Sequence, residues 1–103
     1  MKTKDLKAKH FSLVTTSYKV VIEFYSKPNL KGNITRYALK GFKNGEIVLS
    51  SVYNISVKQY KNLGYAIKAA QRVFKFYNNC EVSIYGVNNK GITTDCVKLE
   101  NLQ

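Results

Sequence analysis

At 103 residues the chain has the length of one domain, large enough to bury about two-thirds of the surface its unfolded form exposes and to fold without disulfide or metal staples. Its 45% hydrophobic and 22% charged residues are those of a globular protein, which excludes wholesale disorder. The charge is lopsided: 17 Lys and Arg stand against 6 Asp and Glu, a formal +11 that attracts polyanions and opposes close self-association at low salt.

Residues 1–10, MKTKDLKAKH, alternate lysine with small or polar residues and read as a flexible basic arm, followed by a single α+β domain over residues 11–103. Lys2, Lys4, Lys7 and Lys9 suit an arm that wraps a nucleic-acid backbone. No apolar run long enough for a signal peptide follows them, and no segment reaches the length of a membrane span, so a cytoplasmic setting without membrane contact is expected. His10 is the only histidine, and no acid, base or nucleophile near it in sequence defines a catalytic role.

Ser17 to Ser26 is the clearest strand, with Tyr18, Val20, Ile22 and Phe24 on one face and Lys19, Val21, Glu23 and Tyr25 on the other. The run from Lys27 to Asn33 is a loop, because proline cannot continue a central ladder and Gly32 and Asn33 tolerate left-handed backbone. Ile34 to Phe42 forms a second strand and Glu46 to Val52 or Asn54 a third, joined at Asn44-Gly45, the strongest short-range hairpin signal. Arg36 and Lys40 alternate with Tyr37 and Leu39, which directs those two cations away from the buried side.

Ser56 to Asn79 reads as the one convincing helix, with Ser56 as its N-cap and Asn78-Asn79 as its stop. At 100° per residue, Leu63, Ala66, Ile67, Ala70, Val73, Phe74 and Tyr77 share one face. Lys61, Tyr65, Lys68, Arg72 and Lys75 share the opposite one, and no acidic residue lies between Glu46 and Glu81 to pair with them. These cations are spread along the helix, so complementing its dipole does not account for them all. Cys80 to Val87 and Ile92 to Leu99 complete the pattern as two strands joined by a turn at Asn88 to Gly91. Cys80 and Cys96 are too few for a disulfide framework, are not expected to lie opposite one another, and form no CxxC or Cys/His cluster.

The order is β-β-β-α-β-β, which implies a mainly antiparallel five-stranded sheet with one amphipathic helix packed on one face. The other sheet face is open, and Lys19, Val21, Tyr25, Arg36, Lys40 and Tyr85 fall on it. Aromatics set among cations stack bases while the cations hold phosphate, so this face is a second candidate surface beside the helix stripe.

The first five elements resemble the opening of a ribonuclease H-like domain, which implies carboxylates on the first strand, first helix and fourth strand for a two-metal site. Glu23 and Glu81 lie on the strands, but the helix has no carboxylate, so an active nuclease of this type is not supported. The first half also resembles, in element order alone, small three-strand-plus-helix domains that lay a sheet in the DNA major groove. No phosphate-cradling glycine motif and no nucleophile with a base is present, so no enzyme activity, cofactor or metal is expected.

The functional expectation is a small basic, non-enzymatic nucleic-acid-binding protein, with DNA favoured over RNA. Its site residues are Lys61, Tyr65, Lys68, Arg72, Lys75, Arg36 and Lys40. Lysine dominates the cations, which favours phosphate contact over base reading and so weak sequence preference. Small size, AT-rich residue usage and the lack of catalytic residues suit an accessory factor of a phage or mobile element. They equally suit the alternative, a protein-binding module that occupies an acidic groove on a host nucleic-acid machine. Either form is expected as a monomer, or as a homodimer paired through an open edge strand.

Overall fold

A computed structural model describes residues 3–24, 35–52, 57–77 and 79–103. The elements are α1 (Thr3–His10), β1 (Thr15–Phe24), β2 (Thr35–Lys43), β3 (Glu46–Ser50), α2 (Leu63–Phe76), β4 (Cys80–Asn88), β5 (Thr93–Lys98) and a 3₁₀ turn (Leu99–Leu102). The five strands form one antiparallel sheet in the order β3-β2-β1-β4-β5, and α2 packs on one face of it. The α+β class and its sheet-plus-helix architecture are those expected from the hydrophobic periodicity. The expected loop from Lys27 to Asn33 lies outside the described residues, as do Tyr25, Ile34 and Ser56.

Strand β1 is central because its Val-Val-Ile run is buried from both sides. Tyr18, Val20 and Ile22 face α2 and join the core with Leu39, Ala66, Ala70, Val73, Val82 and Ile84. Each of the Val, Leu and Ile side chains contributes roughly 1.5–3 kcal/mol relative to exposure. Val21, expected on the open face, points there but is only 1% exposed. It sits opposite Ala38 and Ser83, between the Lys19–Tyr85 and Glu23–Arg36 positions, so long side chains bracket it on either side.

The β2–β3 and β4–β5 turns follow from local chemistry. Asn44 and Gly45 adopt φ of 53° and 81°, as a two-residue turn with right-handed strand twist requires, and Lys43 faces Glu46 across it. In the turn between β4 and β5 the Asn88 side-chain oxygen accepts from the backbone N–H of Lys90 and of Ile92.

The amino-terminal segment is a correction. Rather than a flexible arm, Thr3–His10 is a helix whose Leu6 is buried, and the chain after it buries Phe11 edge-on against Tyr18 at 5.0 Å. The Ser12 backbone N–H donates to the Asp95 carboxylate at 2.8 Å, and the Thr15 and Thr94 hydroxyls lie 2.6 Å apart. Gly86 makes the docking possible, since a Cβ there would come within 2.9 Å of both Phe11 and Thr15. The many lysines of this segment conceal two well-spaced apolar anchors, Leu6 and Phe11, and these decide its fate.

The main helix is also shorter than its periodicity implies, 14 residues rather than a run from Ser56 to Asn79. Val57 to Tyr60 is drawn onto the sheet instead. Tyr60 and Tyr18 exchange backbone N–H to carbonyl bonds at 2.7 Å, and the Lys58 N–H donates to the Leu39 carbonyl. Helix α2 then starts at Asn62, whose side-chain oxygen accepts from the Tyr65 N–H, and ends where Tyr77 turns extended. Phe74, placed on the apolar face by periodicity, is 46% exposed at its flank, whereas Ala69 is buried.

Cys80 is buried opposite Phe24 and Cys96 is exposed opposite Tyr85, so both thiols are free, as their spacing led one to expect. Burial pushes the Cys80 thiol above its ordinary pKa, and it donates to the Tyr77 carbonyl.

Candidate nucleic-acid interface

Capping at Asn62 sets the phase of α2. Leu63, Ala66, Ile67, Ala70 and Val73 turn inward, which leaves Tyr65, Lys68, Arg72 and Lys75 on one outward stripe. All four are exposed, Tyr65 to 63%. Lys75 lies in the last turn, where it complements the helix dipole; Lys68 and Arg72 lie further back and have no such role.

Arg72 is the best-anchored member of the stripe. Its guanidinium carbon lies 4.1 Å from the Phe42 ring centroid, and Nη2 donates to the Gly45 carbonyl at 3.2 Å. The β2–β3 hairpin therefore anchors the guanidinium, whose remaining N–H donors suit contact with a phosphate. Lys58, on the extended lead-in to α2, places Nζ 5.6 Å from the Tyr60 ring centroid. Burial pushes the Tyr60 phenol above its ordinary pKa, and the positive charge of Arg72 partly offsets that rise. Helical periodicity misses Lys58, because the residue is not on the helix. Its sequence signal is the Lys58-x-Tyr60 spacing on an extended segment.

The other expected site residues lie elsewhere. Lys61 precedes the cap, so it is not a member of the helical stripe; it borders a depression with Thr16, Ser17, Gln59 and the Asn88–Gly91 turn. Arg36 is on the open sheet face, where it forms an ion pair with Glu23 at 2.7 Å. Lys40 is exposed at the irregularity in β2 between Leu39 and Gly41. The structure thus brings Tyr65, Lys68, Arg72 and Lys75 together on one stripe, places Lys58 on the extended segment that leads into α2, and sets Lys61, Arg36 and Lys40 off the stripe.

The open sheet face pairs two of its cations with carboxylates. Glu23 stands directly opposite Glu81, and the two are flanked by Arg36 and Lys98, with a Lys98–Glu81 distance of 3.3 Å. Lys19 lies over the Tyr85 ring, whose phenol burial pushes above its ordinary pKa. Among the described residues, none of Lys58, Lys68, Arg72 and Lys75 forms an ion pair.

No protein-family model matches this chain, and neither does any curated protein or solved structure. Among the described residues no three His, Cys, Asp or Glu side chains group as metal ligands, and no helix is long and apolar enough to cross a membrane.

Proposed function

We propose that the protein binds nucleic acid without catalysis, through phosphate contacts from Lys58, Lys68, Arg72 and Lys75 on the α2 side of the domain. The observation that carries this reading is the outward α2 stripe, where cations stand without carboxylate partners among the described residues while Arg36 and Lys98 on the sheet face are paired. Uncompensated cations on a rigid element raise the local potential and release counterions on meeting a polyphosphate. The predominance of lysine favours backbone contact, so DNA is bound with weak sequence preference. Such a module suits an accessory factor that acts by occupancy, as small phage and mobile-element proteins do.

Anisotropy of a labelled duplex under a salt titration tests the proposal. If each of these four cations neutralises one phosphate, affinity falls about 100-fold between roughly 50 and 200 mM salt. A response flat in salt overturns the reading. So does retention of one defined protein from nuclease-treated extract with no binding to the duplex, the outcome expected of a protein-binding module.

A further inference from the structure

The carboxy-terminal half of α2 and the β2–β3 hairpin enclose a shallow cleft of about 250 Å³, lined by Gly45, Ile47, Arg72, Lys75 and Phe76. Its composition is unusual for a solvated surface. Phe76 is 70% exposed, although a phenylalanine left in water forgoes the roughly 1.5–3 kcal/mol that burial supplies. Its ring is held at 82° to Tyr77, with centroids 4.8 Å apart, and Tyr77 in turn meets Phe24 edge-on at 5.1 Å. An exposed ring held by Tyr77, which Phe24 braces in turn, is a preorganised flat surface rather than a loose side chain. Beside it, Lys75 and the hairpin-anchored Arg72 supply positive charge.

A planar apolar surface next to fixed cations, in a cleft smaller than the usual ~300 Å³ lower bound for a drug-sized ligand, matches one unit of a polyanion that carries flat rings. Paired bases do not present their faces; unpaired ones do. Resting on the nucleic-acid reading above, the geometry points to an unpaired base of a single strand stacking on Phe76, with Arg72 and Lys75 holding the neighbouring phosphates. The stripe by itself contacts backbone in any form of nucleic acid. Phe76 makes the protein prefer single strands.

The test compares labelled oligothymidylate, oligouridylate and a DNA duplex of equal length, using full-length wild type and the variants Phe76→Ala, Phe76→Leu and Phe76→Trp. Phe76 is exposed, so the variants are expected to keep the wild-type circular dichroism spectrum. Phe76→Ala and Phe76→Leu should each weaken binding to the unpaired strands about tenfold. Phe76→Trp should retain it, and duplex affinity and its salt slope should be unchanged throughout. A deoxy strand bound more tightly than the ribo strand assigns the ligand as single-stranded DNA; the reverse order assigns RNA. If Phe76→Leu binds unpaired strands as well as wild type, or if the duplex weakens equally, the stacking inference falls and the backbone reading stands. Failure of the wild type to bind any of the three overturns both.

Discussion

The two faces of this sheet carry similar residue types, cations set beside aromatic rings, and treat the charge in opposite ways. On the open face Arg36 meets Glu23 and Lys98 meets Glu81, so two carboxylates on adjacent strands are each closed off by a cation on the outer side. On the covered side, α2 turns its apolar residues to the sheet and presents Lys68, Arg72 and Lys75 outward with no such partners among the described residues. Total charge therefore says little about where a polyanion docks; the local balance decides it. Exposed ion pairs such as Arg36–Glu23 contribute under about 1 kcal/mol to stability, and their larger effect is to remove a cation from the field.

The comparison can be broken at its edges. The covered side includes the amino-terminal helix, so Leu6→Ala should cost about 2–5 kcal/mol in urea unfolding, as expected for a truncated core leucine. A flexible arm would tolerate the same change with no shift in midpoint. Asn62→Ala should have a smaller effect, about 1 kcal/mol, because it removes the side-chain acceptor for the Tyr65 N–H. If the helix instead began well before Asn62, that substitution would be silent.

What the sequence makes legible divides along the same lines. Strand β1, the Asn44-Gly45 hairpin and the Asn88–Gly91 turn are readable because alternation and left-handed turn residues act locally. The helical stripe from Tyr65 to Lys75 is readable for the same reason. The start of α2 is not, because Tyr60 is claimed by a backbone exchange with Tyr18, a contact between distant residues that outweighs helical periodicity. Lys61 leaves the helical stripe as a result. The docking of α1 is hidden in the same way, since it depends on Asp95, Thr94 and Gly86 at the far end of the chain. Phe76 stands four residues after Arg72 and eleven after Tyr65, so helical periodicity puts it on the outward stripe; its apolar character is what hides it from a reading guided by charge.

The most direct measurement sets one face against the other. Lys68, Arg72 and Lys75 are replaced by glutamine in one variant, and Lys19, Arg36 and Lys98 in a second, so that each triple lowers the formal +11 by the same amount. With the fold of both checked by circular dichroism, the helix triple should lose about 100-fold in affinity for a DNA duplex at low salt. The sheet triple should stay within about threefold of wild type. Equal losses in the two variants, or a larger loss in the sheet triple, would contradict the assignment of the α2 side as the nucleic-acid surface.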